Sequence, residues 1–252
     1  MTKTIAIAGK GGTGKTTVSA LLVQWLAQYG TVLAVDADPS ANLHLVLGLP
    51  LESTVGDIRE GMLAEVKRGT FQAGLSKQDY LEWKVTEALV EGERLDLLAM
   101  GRPEGPGCYC AANNMLRSYL DRLQTQYDYV VMDNEAGMEH LSRQTTRDVD
   151  LLLLVSDPTI RGITTAARMQ ELIHELRTVV GRVVLVVNRA NGTLPAAVQE
   201  AIAAGGLDLL ATLPDHSAIR EYDAQGRPLV QLPPDDPVRR RLIELAGRLG
   251  LP

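Results

Sequence analysis

The densest chemistry in this chain lies in one short run, Gly9-Lys10-Gly11-Gly12-Thr13-Gly14-Lys15-Thr16-Thr17. Glycines at such spacing let successive backbone N–H groups converge on a polyphosphate, because no Cβ obstructs the approach. Lys15 would reach the β- and γ-phosphates of a nucleoside triphosphate, and the Thr16 hydroxyl would ligate Mg²⁺. Gly11, Gly12, Thr13, Gly14 and Thr17 complete the cradle. Lys10 is the unusual member. A lysine so near the start of the loop can point away from its own nucleotide and towards a partner's. The plain alternative is a glycine-rich turn with incidental lysines. Context argues against it, because the apolar run Ile5–Ala8 precedes the loop and the amphipathic stretch Val18–Ala27 follows. Strand, glycine loop and helix is the setting in which such a loop holds phosphate, with the helix N-terminus aimed at the same charge.

Four further strand ends carry polar groups that could serve this loop. Asp36-Ala37-Asp38-Pro39 closes the second apolar run. Alternation along an extended segment puts Asp36 and Asp38 on one side, where a carboxylate could orient an attacking water or hold the metal shell. Asp38, farther into the loop, is the better placed for the water; otherwise the Asp-x-Asp-Pro turn merely caps a helix. Val130-Val131-Met132-Asp133 reads as a Walker B element, with Asp133 supporting Mg²⁺ through a water. Gly137, in the following Asn134-Glu135-Ala136-Gly137 loop, could sense the γ-phosphate with its N–H. Asn188 follows the run Val183–Val187, and its amide offers the donor and acceptor that suit a purine edge. Pro214-Asp215 follows the last apolar run and could line the other side of the base. Plain loop roles remain open for all three. No Asn-Lys-x-Asp guanine signature is present, which favours ATP over GTP.

Both cysteines of the chain fall in Gly105-Pro106-Gly107-Cys108-Tyr109-Cys110. In an extended segment Cys108 and Cys110 face the same side. A disulfide across one residue would close a small strained ring and stabilise little in a reducing compartment. Soft thiolates suit Zn²⁺, Ni²⁺ and Cu(I), but two ligands do not close a tetrahedral site. A twofold dimer apposing two Cys-x-Cys loops would supply four sulfurs on its axis. Two buried thiols without a ligand are the alternative.

The elements that must position these groups alternate along the chain. Strands are expected over Ile5–Ala8, Val32–Val35, Leu95–Ala99, Tyr129–Met132, Leu151–Val155, Val183–Val187 and Leu207–Leu213. Most are continuously apolar, as in a parallel sheet covered on both faces. Helical patterns such as Thr164–Leu176 separate them. The expectation is a doubly wound α/β fold, one P-loop ATPase domain over residues 1–252, with ligands at the carboxyl ends of the strands. Residues 50–92 are charged and less regular, and read as helices outside the sheet that could face a partner. The net charge of −6 argues against a general nucleic-acid binder. No run approaches the ~18 apolar residues of a membrane span, and no signal segment precedes the phosphate loop, so a soluble cytoplasmic protein with no nucleic-acid or membrane partner is expected.

Together Gly9–Thr17, Asp36–Pro39, Asp133–Gly137 and Asn188 resemble the deviant-Walker-A ATPases, which include MinD, ParA and the nitrogenase iron protein. Cys108-x-Cys110 and the run Asp133-Asn134-Glu135-Ala136-Gly137-Met138-Glu139-His140 look most like the CooC-type nickel-insertion ATPases of carbon monoxide dehydrogenase and the related accessory ATPase of acetyl-CoA synthase. The resemblance implies an ATP-dependent homodimer in which Lys10 acts on the other copy's phosphates. It implies that Lys15, Thr16 and Asp38 serve ATP, Mg²⁺ and the water. It also implies that Cys108 and Cys110 bind one Ni²⁺ or Zn²⁺ per dimer for delivery to one of those two enzymes. The iron protein places a cluster cysteine in the loop after its Walker B aspartate; this chain has Ala136 there and no cysteine. MinD ends in a membrane-binding helix. Here Val238–Leu249 is expected to pack instead, since large aromatics are missing and Pro233-Pro234 delimits it. A MinD- or ParA-like positioning or partner-regulating ATPase without a metal is the alternative function.

Overall fold

The computed structural model describes residues 2–71, 74, 76–101, 119–134, 148–176 and 179–252. Its strands are β1 (Lys3–Gly9), β2 (Val32–Asp36), β3 (Val90–Glu91), β4 (Leu95–Ala99), β5 (Tyr129–Asp133), β6 (Asp148–Ser156), β7 (Val179–Val187) and β8 (Leu209–Thr212). They form one sheet in the order β3-β4-β2-β5-β1-β6-β7-β8. Every pairing is parallel except that of β3 with β4. The expected doubly wound α/β layout is therefore present, and all seven expected strands form. The short antiparallel edge strand β3 was not expected: two residues, Val90 and Glu91, carry too little pattern to announce a strand.

The continuous apolar runs are explained by two separate cores, one on each face. Along β1, Ile5 and Ile7 enter one core while Ala6 and Ala8 enter the other. Helix α1 (Lys15–Leu26), α2 (Leu43–Leu47) and the C-terminal α8 (Pro237–Arg248) cover the first face. Helices α3 (Val55–Arg68), α4 (Lys77–Glu87), α5 (Ile160–Leu176) and α6 (Ala196–Ala204) cover the second. A shorter helix, α7 (Ser217–Ala224), follows β8. Parallel strands buried on both sides have no solvent face, so alternation between apolar and polar residues never develops.

Within residues 50–92, Val55–Arg68 and Lys77–Glu87 fold as helices. They are not peripheral, since Val55, Ile58, Met62, Leu81 and Val85 are buried in the second core. Local capping fixes their starts. Thr54 and Asp57 form a reciprocal capping box on α3, and the Ser76 hydroxyl accepts from Asp79 N–H at the start of α4. The C-terminal helix is packed, as expected: Val238, Leu242, Leu245 and Ala246 are buried, and Asp236 caps it by accepting from Val238 N–H. Among the described residues no helix is long and apolar enough to cross a membrane.

Candidate nucleotide site

Parallel pairing puts the carboxyl ends of β1, β2, β5, β6 and β7 on one edge of the sheet, and the expected nucleotide residues gather there. The phosphate loop leaves β1 at Gly9, where a Cβ would lie 2.1 Å from the Val155 carbonyl of β6; only glycine fits. Gly14, at φ 88°, stands at the N-cap of α1. No side chain caps this helix and no acidic residue lies in its first turn. Its leading N–H groups and positive dipole end therefore have no side-chain anion of their own and suit a phosphate.

The two loop lysines sit in different environments. Lys15 is 7 % exposed, with its ammonium 3.4 Å from the Lys10 carbonyl, which also accepts from the Thr13 hydroxyl at 2.9 Å. Lys10 itself is exposed, as are Gly11 and Gly12. Thr16 and Thr17 follow in the first turn of α1, partly exposed.

Asp133 ends β5 beside this loop and is only 1 % exposed. Burial pushes its carboxyl up to about 6, against hydrogen bonds from Thr16 and Ser19 and the attraction of Lys15, which act the other way. The Ser19 hydroxyl donates to Asp133 at 2.9 Å. Ser19, one turn after Lys15, is a site residue the motif reading missed; its signal was a lone hydroxyl within the buried face of α1. Asp36, opposite Asp133 in the β2–β5 register, is also 1 % exposed. Burial drives it up to about 7, hydrogen bonds from Leu43 and Asp38 N–H oppose this, and the charges of Asp133 and Asp38 add to it. Asp38 is partly exposed, and its carboxylate accepts from Ser40 N–H at 2.8 Å.

This corner thus holds two buried carboxyls, Asp36 and Asp133, with one buried lysine beside them, and burial is the main cause of their raised affinity for protons. A hydroxyl at Thr16 hydrogen-bonded to a buried carboxylate at Asp133 is an oxygen donor set that fits Mg²⁺, a cation that keeps several waters and takes one or two protein oxygens beside phosphates. Among the described residues no group of three or more His, Cys, Asp or Glu side chains forms a metal cage.

Asn188 directly follows β7 and makes contacts its sequence position did not suggest. Its Nδ2 donates to the Thr13 carbonyl at 2.8 Å, and its Oδ1 accepts from Arg189 N–H at 2.9 Å. A Cβ on Gly14 would lie 2.3 Å from that Nδ2. The amide expected to read a purine is hydrogen-bonded to the phosphate loop. Pro214 and Asp215 lie in the neighbouring loop after β8, stitched to the first by Ala190 N–H donating to Leu213 O. Asp215 is held by both its oxygens to Arg220 at 2.6 Å. Asn134 is a second missed residue. It is buried, its amide nitrogen donates to Ile7 O at 3.0 Å, and its Oδ1 has no partner among the described residues. Cys108, Cys110, Gly137 and the remainder of the run from Glu135 to His140 lie outside the described residues.

Residues 4–229 match the family model described as the CobQ/CobB/MinD/ParA nucleotide binding domain. The chain belongs to this family. Its members' fold is the one described above, and the family fixes the activity class as ATP binding and hydrolysis by a P-loop. An uncharacterised ATP-binding protein of Methanocaldococcus jannaschii is 43% identical over 246 residues, covering 97% of both chains. The carbon monoxide dehydrogenase accessory protein CooC of Rhodospirillum rubrum is 33% identical over 263 residues, covering 98% of this chain and 97% of that one. Among solved structures, MinD of Pyrococcus horikoshii in complex with Mg-ADP superposes with a TM-score of 0.69 at 25% identity, covering 99% and 96% of the two chains.

Proposed function

We propose that this family member is an ATP-dependent metallochaperone. Two copies close on ATP and hold one Ni²⁺ or Zn²⁺ between paired Cys108 and Cys110, then release it to a nickel enzyme when hydrolysis loosens the pair. The observation that carries the reading is Cys108-Tyr109-Cys110 in a chain 33% identical to CooC over nearly its full length. The topology supports it. Strand β4, which precedes the cysteines in sequence, ends at Ala99 on the same sheet edge as Asp36 and Asp133.

In this reading the N–H groups of Gly11 to Thr17 and the Lys15 ammonium bind the triphosphate. Thr16, and Asp133 through a water, hold Mg²⁺, which when bound draws charge from the phosphates. Asp38 orients a water whose oxygen bonds to the γ-phosphorus while the bond to the β-phosphate oxygen breaks, giving ADP and phosphate. Lys10 reaches the other copy's phosphates, Gly137 N–H senses the γ-phosphate, and Pro214 and Asp215 flank the base. The client is carbon monoxide dehydrogenase or acetyl-CoA synthase.

Metal content and Ni²⁺ titration of the wild type, Cys108→Ser and Cys110→Ser test the function. One divalent metal per dimer in the wild type, lost in either variant while ATP hydrolysis persists, is the expected result. No binding in the wild type would leave a MinD- or ParA-like regulatory ATPase instead, and undiminished binding in both variants would remove Cys108 and Cys110 from the metal site.

A further inference from the structure

Asp36 is buried and given no part in the chemistry described above. Its carboxylate spans the loop that follows it. One oxygen accepts from Asp38 N–H at 3.1 Å and the other from Leu43 N–H at 2.8 Å. The residues between them are thereby drawn into a closed ring. Inside that ring Ala41 N–H donates to the Asp38 carbonyl at 2.9 Å, and Ser40 N–H donates to the Asp38 carboxylate. Ala41 is held at φ 48°, a left-handed conformation that strains an L-residue. The ring is therefore imposed on the loop, and the carboxylate that closes it is the group that imposes it.

The backbone of Asp36 ties the same ring to its neighbours. Its carbonyl accepts from Met100 N–H at 2.8 Å, and the Met100 carbonyl accepts from Gly56 N–H at 2.9 Å. On the other side Ala37 N–H donates to the Asp133 carbonyl at 2.9 Å. One residue thus fixes the Asp38 loop between the Walker B strand and the start of α3. With one backbone donor on each oxygen, this buried carboxyl is a rigid clasp.

We infer that Asp36 is a positioning residue for hydrolysis: its carboxylate clasps residues 38–43 and so sets the direction in which Asp38 presents its own carboxylate to the attacking water. The inference rests on Asp38 having that role. A hydrogen bond to a charged group contributes enough to change a rate by one to two powers of ten when its loss lets a reacting group drift.

The test compares Asp36→Asn, Asp38→Asn and the double variant for kcat, KM for ATP and ATP-dependent dimer formation, with thermal melting as the folding control. Asparagine keeps one acceptor and turns N–H groups on the other donor. Asp36→Asn is expected to lower kcat about 10- to 100-fold with KM within about threefold, to accumulate the ATP-bound dimer as Asp38→Asn does, and to add nothing to Asp38→Asn in the double variant. A second variant replaces Leu43 by its α-hydroxy acid, which deletes one donor of the clasp and keeps the side chain. It should lower kcat in the same direction by about 3- to 10-fold. Unchanged kcat in both variants would overturn the inference, as would a loss of activity that simply follows the unfolded fraction. If Asp38→Asn hydrolyses ATP normally, the failure lies with the role of Asp38 and not with the clasp.

Discussion

Lys10 and Lys15 share one loop and face different surroundings, one exposed, the other buried beside the loop's own carbonyl and within reach of the Asp133 charge. Lys15→Ala is expected to weaken ATP binding and abolish turnover. Lys10→Ala is expected to leave binding largely intact and to lose hydrolysis and ATP-driven dimerisation, since trans-acting cations of this kind contribute ~10³–10⁵ in rate. Calorimetry and a phosphate-release assay separate the two, and wild-type turnover in Lys10→Ala would remove the action across the dimer. Asn188 gives a second test at this scale. If its amide braces the loop at Thr13, Asn188→Ala weakens ATP and GTP equally, by about 0.5–1.5 kcal/mol for one hydrogen bond. If it reads the base, only the preference between the two nucleotides changes. The phosphate-loop groups were legible in the sequence because the motif fixes them by spacing. Ser19, Asn134 and the Asp36 clasp were not, because their partners, Asp133, Ile7 and Leu43, are set by tertiary contact or by how a loop closes.

At the level of elements, α1 starts at a glycine that cannot be replaced. Gly14→Ala would strain a φ of 88° and drive a methyl to 2.3 Å from the Asn188 amide, so nucleotide binding should be lost while the sheet still folds. Binding calorimetry with circular dichroism checks both halves of that statement. The end of β2 carries a different signal. Burial raises Asp36 from 3.8 to about 7, so the nucleotide-free folded chain binds a proton there that the unfolded chain releases at lower pH. A raised carboxyl contributes stability below its unfolded value and loses it as pH rises through the folded one. Asp36→Asn carries no such charge. Without nucleotide, the difference in melting temperature between variant and wild type should therefore move in the variant's favour from about pH 5 to about pH 8. A difference that does not move with pH would mean that Asp36 is not held in its uncomfortable charged form. The parallel strands themselves were legible from their continuous apolar runs. Strand β3 was not, because two residues make no pattern, and the exact start of β8 was not, because Leu207 is buried outside the strand as well as its neighbours within it.

Across the whole molecule, two cores on opposite faces hold one edge of the sheet open for ligand. The C-terminal helix belongs to one of these cores, packed on α1 through Leu242, Leu245 and Ala246. Leu245→Ala is expected to cost about 2–5 kcal/mol in denaturant unfolding, as for a fully buried leucine. A near-zero cost would detach the helix from the fold and reopen a membrane role. The function is written across a longer distance than any of these contacts. In the proposed function Lys10 needs the other copy's phosphates and the two Cys108-x-Cys110 segments need each other, and one dimer axis would satisfy both. Linkage then requires ATP to tighten metal binding and metal to tighten ATP-driven dimerisation by the same free energy, ~1–3 kcal/mol for a coupling of ordinary size. The decisive measurement is a Ni²⁺ titration of the ADP-bound protein and of ATP-bound Asp38→Asn, with the oligomeric state followed in parallel. The account predicts a dimer that binds Ni²⁺ about 5- to 150-fold more tightly in the ATP form, with Cys108→Ser abolishing the difference. Equal affinity and the same oligomeric state in both forms would contradict it.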